Sequence, residues 1–481
     1  MVLSSRRFLA GSLNSISAMR SSDSVLILEV VSSGLPSAIS GCNAVVMTTA
    51  QGVLETPRPD VFLVRRHRRF KNTLGVVMTT ALHPVIAESN PLETTTTINT
   101  LSEDLIAEIL FRLPARNLLE LKTVCKSWKT LISNSRFALN HFRRSIADPT
   151  MTNPRLVYST RHFVDCNIGF FPVQPLLKNT SSPSSNPTTV VSFEMKDCLE
   201  ILGSCNGLLC LLEIICNFVR LWNPCTGVES DWIEIEQRGV EVVNHGFGYD
   251  HVHDRYKLLL FVQKRRQEPT SPMVLTFGAN NSWSTMPDFP FYPQRCKGEF
   301  VSGTLNWIHK VPVTLNSWMI VFFDLARESF GEVFLPFMNG ENVCEPVLQV
   351  ARECLCVCVD HQKSHFDVWI MKEYGVQESW TKLIVISHVE LKHYEPPYPL
   401  YLVYIYENGV VLTIPPTSYK LVLYDPNDHN RLHYPLFDSS SDGMTKFPMS
   451  ERAAPRGFHV FHESLVSPSH LGLPSEVAYW D

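Results

Sequence analysis

Leu101-Ser102-Glu103-Asp104-Leu105-Ile106-Ala107-Glu108-Ile109-Leu110-Phe111-Arg112-Leu113-Pro114 is the first sustained pattern in this chain. Ser102 can cap a helix, and Glu103 and Asp104 fall in its first turn, where the positive end of the helix dipole favours carboxylates. Leu105, Ile106, Ile109, Leu110 and Leu113 then recur at the spacing of an amphipathic face, and Pro114 ends the run. Asn117 is placed to cap a second helix carrying Leu118, Leu119, Leu121, Val124 and Cys125. A third, turn-rich stretch carries Trp128, Leu131 and Ile132. Three short helices make too small a core to stand alone, since below roughly 70–80 residues a single core supplies only a few kcal/mol. Part of the surface made by Leu101, Leu105, Ile109, Leu110, Leu113, Pro114, Leu118, Leu119, Val124, Cys125, Trp128 and Leu131 is therefore expected to meet a partner protein. Arg112, Arg116, Lys122, Lys126 and Lys129 would rim that surface and favour an acidic partner.

Towards the N-terminus the pattern stops. Residues 1–96 show no sustained periodicity and are expected to form a flexible extension. Their first 22 residues hold Arg6, Arg7 and Arg20, many serines and no acid, a composition like that of a transit peptide. Arg65-Arg66-His67-Arg68-Arg69 is a short basic run, and Val-Val-Met-Thr-Thr-Ala occurs at both 45–50 and 76–81.

Towards the C-terminus the helical period also disappears. Short apolar runs alternate with Gly, Asn, Asp and Pro, as many antiparallel strands require. A turn plus a buried strand reads at Cys205-Asn206-Gly207-Leu208-Leu209, at Val301-Ser302-Gly303-Thr304-Leu305 and at Glu407-Asn408-Gly409-Val410-Val411. A strand ending in an aromatic-plus-Asx corner reads at Leu221-Trp222-Asn223-Pro224, Phe322-Phe323-Asp324-Leu325 and Leu423-Tyr424-Asp425-Pro426. Trp283-Ser284 and Trp380-Thr381 echo each other as well. Like elements recur at about 50 residues or twice that, which suits the four-stranded blades of a β-propeller. The pattern does not determine the number of blades; six is the working value.

The run 101–114, followed by Val124-Cys125-Lys126-Ser127-Trp128, resembles an F-box over roughly residues 99–143. Ser102 stands where that family usually has Pro, and either residue suits the first turn of a helix. The resemblance implies docking onto the Skp-type adaptor of an SCF ubiquitin ligase and, through it, a cullin scaffold. Cys205–Leu209, Leu221–Pro224, Gly246-Phe247-Gly248-Tyr249-Asp250 and Phe323-Asp324-Leu325 resemble the plant F-box-associated, kelch-like propeller domain over about 195–440. His251 and His253 depart from it, standing where Pro and small polar residues are more usual. The expected organisation is a flexible extension at 1–96, an all-α F-box at 97–145, and an all-β propeller-like domain at 150–445. Residues 446–481 would be a tail or the closure of the propeller.

Composition agrees. The 481 residues carry 42 Lys+Arg against 47 Asp+Glu, a net charge of −5 that argues against a dedicated nucleic-acid binder. Charge divides along the chain: residues 151–481 hold 25 basic and 36 acidic groups (−11), against 17 and 11 (+6) before them. No apolar run of 18 or more residues is free of charge, so no membrane-spanning helix is expected. Thirteen Cys, with Cys354, Cys356 and Cys358 alternating on one strand face, read as small buried hydrophobes of a reducing compartment; cytoplasm, nucleus or both are expected.

No catalytic, metal or cofactor site is expected. His245, Asp250, His251, His253 and Asp254 have ligand chemistry but read as a solvated hairpin turn. Gly203-Ser204-Cys205-Asn206-Gly207 lacks the G-x-S-x-G order of a nucleophile elbow. The expected role is the substrate-recognition subunit of a ubiquitin ligase, holding an unidentified protein target for modification by others. A non-proteolytic F-box scaffold is the alternative, a kelch-type enzyme the remoter one. Phe291, Tyr292 and Arg295, with His251 and His253, are the candidate target contacts, because aromatic and Arg side chains on loops anchor interfaces.

Overall fold

In the computed structural model the chain divides into two compact units, residues 1–152 and 153–481. The structure describes residues 103–148 and, with gaps in several connections, 154–468, together with Ser475–Val477 and five short strands between Leu13 and Met78. Those five strands pair as one sheet, and the register sets Val45–Met47 of the first hexapeptide copy antiparallel to Val76–Met78 of the second.

Among the described residues the helical part of the first unit holds four helices: α1 (Glu103–Leu110), α2 (Ala115–Leu121), α3 (Lys126–Ile132) and α4 (Ser135–Ala147). The expected three therefore become four, and the added one is the longest. Two caps also differ from expectation. Pro114, not Asn117, precedes α2, and Asn117 lies inside that helix. Cys125 belongs to no helix face; its Sγ caps α3 by accepting from Trp128 N at 3.5 Å. Ser102 lies outside the described residues.

The second unit is a six-bladed propeller, each blade built on four antiparallel strands; in blade 2 the short strands Ile233–Glu234 and Ser475–Val477 add to that sheet. Blade 2 runs through Leu199–Cys205, Leu208–Glu213, Phe218–Asn223 and Val228–Ser230. Blade 3 runs through Val240–Asp250, Arg255–Lys264, Met273–Thr276 and Ser282–Thr285. Blade 4 uses Glu299–Val301, Thr304–Lys310, Trp318–Asp324 and Ser329–Phe334. Blade 5 uses Val347–Ala351, Cys354–His361, His365–Met371 and Trp380–Ser387, and blade 6 Tyr401–Ile405, Val411–Ile414, Val422–Tyr424 and Leu432–His433. Blade 1 combines both ends of the unit: His459–Phe461 pairs as its innermost strand with Arg155–His162, followed by Asp165–Pro172 and Val191–Met195. The innermost strands of the six blades touch one another in a ring.

The repeated motifs now have physical causes. Cys205-Asn206-Gly207-Leu208 and Val301-Ser302-Gly303-Thr304 are two-residue hairpin turns between the first and second strands of a blade. Both central residues have positive φ (51° and 76°; 52° and 81°), the geometry that matches strand twist. The Asx corners join third to fourth strands: Asn223 Oδ1 accepts from Cys225 N at 2.8 Å, Asp324 Oδ1 from Ala326 N at 2.9 Å, and Asp425 Oδ1 from Asn427 N at 2.9 Å. The echoed tryptophans tie neighbouring blades. Trp283 Nε1 donates to Glu234 O at 3.1 Å and Trp380 Nε1 to Phe334 O at 3.0 Å.

Apolar layers fill the spaces between blades. Leu259, Phe261, Phe291, Leu305, Trp307 and Phe323 form one such layer between blades 3 and 4. Cys356 and Cys358 are buried in blade 5, and burial pushes the Cys356 thiol up to about 12, so these are inert packing groups.

Candidate adaptor and target interfaces

The helical module buries more of itself than three helices could. Leu110, Leu113, Leu118, Leu121, Trp128 and Ile132 are each at most 4% exposed, and Phe137, Ala138 and Phe142 of α4 are buried with them. Asn134 starts that helix, its Oδ1 accepting from Arg136 N at 2.9 Å and Phe137 N at 3.2 Å. His141 is buried and its Nε2 donates to Leu113 O at 2.7 Å, which ties α4 to the end of α1. Burial lowers the pKa of His141 against the opposing pull of that hydrogen bond. Phe111 stacks on the buried Phe137 at 4.5 Å; on the outer side Arg144 lies over Phe111 and pairs with Glu108 at 2.7 Å.

This packing redistributes the expected partner-facing residues. Leu110, Leu113, Leu118 and Trp128 belong to the module's own core, where each Leu contributes about 1.5–3 kcal/mol by burial. Leu105, Ile109, Leu119, Val124, Cys125 and Leu131 remain half-buried and Pro114 is exposed; Leu101 lies outside the described residues. Leu105 and Ile109, one turn apart on α1, sit beside the buried Leu110 rather than on it. Of the basic rim, Arg116, Lys126 and Lys129 are exposed and Lys122 is half-buried, while Arg112 pairs with Glu108 at 3.3 Å.

The propeller separates the expected target contacts. In a meander, connections alternate between the two ends of a blade. Connections from first to second and third to fourth strands share one end. Those from second to third strands, and from one blade to the next, share the other. His251 and His253 lie in the first-to-second turn of blade 3, both exposed, and Gly303 of the equivalent turn in blade 4 approaches His251. The connections at 265–272 and 286–298 belong to the opposite end. The turn bearing His251 and His253 thus lies at the opposite end from the connection that carries Phe291, Tyr292 and Arg295. Phe291 is also corrected: it is 7% exposed and packs at 6.3 Å from Trp307 and 5.1 Å from Phe289, a core residue between blades. Tyr292 and Arg295 lie outside the described residues.

The turn itself is hydrogen-bonded from within. Asp250 is fully buried, its Oδ1 accepting from Val252 N at 3.0 Å and His253 N at 3.1 Å, with Oδ2 2.8 Å from His253 Nδ1 and 3.4 Å from Lys257 Nζ. The expected solvated turn is thus met only at His251, His253 and Asp254: Asp250 is buried and organises the turn from inside, and His245 lies within the strand Val240–Asp250. A different group, His361, His365 and Asp367 at the hairpin of blade 5, brings ligand atoms within 4.8 Å of one another. Sequence reading missed it because only cross-strand register brings His361 to His365 and Asp367.

A model of the F-box domain matches residues 98–140, and a model of the F-box associated beta propeller domain matches residues 155–424, more than half of the chain. The chain belongs to the F-box-associated propeller family. Its relatives are plant proteins. An F-box/kelch-repeat protein of Arabidopsis thaliana is 29% identical over 382 residues, covering 76% of this chain and 96% of the relative. The F-box protein CPR1 of the same plant is 28% identical over 321 residues, covering 60% of this chain and 73% of its own length. F-box-associated propeller proteins are typically non-catalytic adaptor subunits, and the two-part architecture supports a substrate-adaptor role. Among the described residues no helix is long and apolar enough to cross a membrane.

Proposed function

We propose that this chain is the substrate-recognition subunit of an SCF-type ubiquitin ligase. In this reading the helical module docks a Skp-type adaptor and, through it, a cullin, while the propeller holds a protein target for ubiquitination. The observation that carries it is the F-box module with a half-buried apolar ridge on α1, Leu105 and Ile109, and with Leu119 of α2 and Leu131 of α3 also left half-buried outside its closed core. Such a ridge can be buried by a partner without unfolding the module. The chain performs no bond chemistry in this mechanism; it raises the effective concentration of a target lysine near the conjugating enzyme.

For the target we assign the propeller end that carries the second-to-third and blade-to-blade connections. Its chain segments 286–298, 335–346 and 388–400 each run to a dozen or so residues, whereas the opposite end is built largely from tight turns such as 206–207, 302–303 and 352–353. Long connections on a rigid scaffold are where binding residues accumulate. The test is capture of a recombinant plant Skp-type adaptor by the full chain. Ile109→Asp is expected to abolish capture while leaving the helical circular dichroism signal intact. Undiminished capture by a folded Ile109→Asp chain overturns the reading.

A further inference from the structure

The hairpin of blade 5 gathers chemistry that neither adaptor docking nor blade packing uses. His361 ends its second strand and His365 opens its third. The two are paired across the ladder, and Asp367 lies two residues on, on the same face. His361 Nε2 is 3.1 Å from Asp367 Oδ2, and His365 Nε2 is 3.5 Å from Asp367 Oδ1. Two donors on a tetrahedral zinc, each about 2.1 Å from the metal, lie about 3.4 Å apart. The observed separations bracket that distance.

A second observation concerns where the protons are. Ser364 Oγ donates its one hydrogen to His361 O at 2.8 Å, so it can only accept from His365 Nδ1, also at 2.8 Å. His365 therefore carries its proton on Nδ1, and in the neutral ring Nε2 is a bare lone pair. That nitrogen lies 3.5 Å from Asp367 Oδ1, a buried oxygen that accepts no hydrogen bond. Two acceptors held this close repel each other, and a cation between them, a proton on the ring or a metal ion, relieves that repulsion. The arrangement of His365 is also that of metal-bound imidazoles, whose far nitrogen is held by an outer hydrogen-bond partner.

We propose that His361, His365 and Asp367 form a binding site for one divalent transition-metal ion of the zinc type. His365 supplies Nε2 and Asp367 supplies Oδ1. His361 supplies Nε2 as its ring shifts to the other tautomer, and water completes the shell. Lys382 is the competing cation: its Nζ is 2.6 Å from Asp367 Oδ2 and its side chain is 42% exposed, free to turn outward. The site lies at the propeller end assigned to the target, so a bound ion would brace that hairpin. The proposal does not depend on that assignment.

The full chain, dialysed against zinc alone and then against zinc-free buffer, is compared with His361→Ala/His365→Ala by metal analysis. One equivalent fewer in the double variant is expected, with unchanged thermal unfolding in the metal-free state. His365→Gln serves in its place if the double variant fails to fold. Cobalt in place of zinc should give a tetrahedral visible spectrum that the variants lack. Lys382→Ala should retain the ion and bind it several-fold more tightly. Equal metal content in wild type and variants, or loss of the ion in Lys382→Ala, overturns the proposal.

Discussion

Asn223 and Ser464 stand 241 residues apart in the chain, yet Asn223 Nδ2 donates to Ser464 O at 3.1 Å, and Asn223 is completely buried. The same amide reaches Val466 O at 2.5 Å, while its oxygen holds the Cys225 and Thr226 amides. One side chain thus shapes the corner of blade 2 and clamps the segment following the closing strand His459–Phe461. Asn223→Ala strands several buried backbone groups and is expected to cost about 2–4 kcal/mol. Denaturant unfolding of the full chain measures it. A chain ended before residue 459 should lose the cooperative transition of the propeller altogether, and a sharp native-like transition in that truncation would contradict the closure.

Core and ridge of the helical module should respond differently to the same charge. Leu113→Asp places an unpaired carboxylate in a closed core and is expected to unfold the module, costing roughly 3–5 kcal/mol. Leu105→Asp on the half-buried ridge should leave the helices intact and remove adaptor capture. Helical signal and pull-down, read together on both variants, separate the two roles; loss of helix in Leu105→Asp would place that residue in the core.

The Arg352-Glu353 turn of blade 5 has φ of 51° and 60° without a glycine, where blades 2 and 4 have Gly207 and Gly303 at the second position. The left-handed conformation of a non-glycine residue costs about 1–2 kcal/mol, partly offset by the greater unfolded-state freedom of glycine. Glu353→Gly should therefore stabilise the propeller by about 0.5–1 kcal/mol, seen as a higher urea midpoint. A lower midpoint would mean that the Glu353 side chain outweighs its backbone strain.

Acid should loosen the propeller through its histidines. Burial, with the nearby Lys297 ammonium, holds His245 down at about 3 and His459 well below its ordinary range, and burial alone holds His462 at about 4. The unfolded chain takes up these protons near 6.5, so between there and about pH 4 it binds more protons than the folded state. Stability then falls as pH drops, by at most about 1.4 kcal/mol per unit for each His. Glu299, whose carboxyl burial raises despite Lys297, works in the opposite sense near its usual range. Urea midpoints at pH 7.5, 6 and 5 should decline in order, less steeply in His462→Gln. A flat series would remove these histidines from the stability of the fold.

The two ends of the propeller should differ in target capture. Joint replacement of Tyr292 and Arg295 by Ala is expected to reduce recovery of ubiquitinated partners in affinity purification. Joint replacement of His251 and His253 should not, because they occupy the opposite end. The reverse pattern would move the target to the end of tight turns.

The local periodicities were enough for the order of parts: helices around 103–132, strands after 150, and turns wherever Asn-Gly, Ser-Gly or an Asx corner demanded them. These signals are short-range, since a turn or an amphipathic helix is decided by residues within four or five positions. α4 escaped notice because its burying side chains, Phe137, Ala138, His141 and Phe142, sit among Arg136, Asn140, Arg143 and Arg144, and only their i, i+4 spacing marks a face. Its presence transferred Leu113 and Trp128 from a supposed interface to a core, which no count of leucines could have decided. The same holds for the propeller. That His459–Phe461 completes blade 1, that Phe291 lies between blades, and that Asp367 meets His361 and His365 depend on register and closure across the ring. Sequence alone determined which residues turn and which are apolar. Tertiary structure decided which of them face each other, because that depends on contacts between segments far apart in the chain, whose pairing no local pattern encodes.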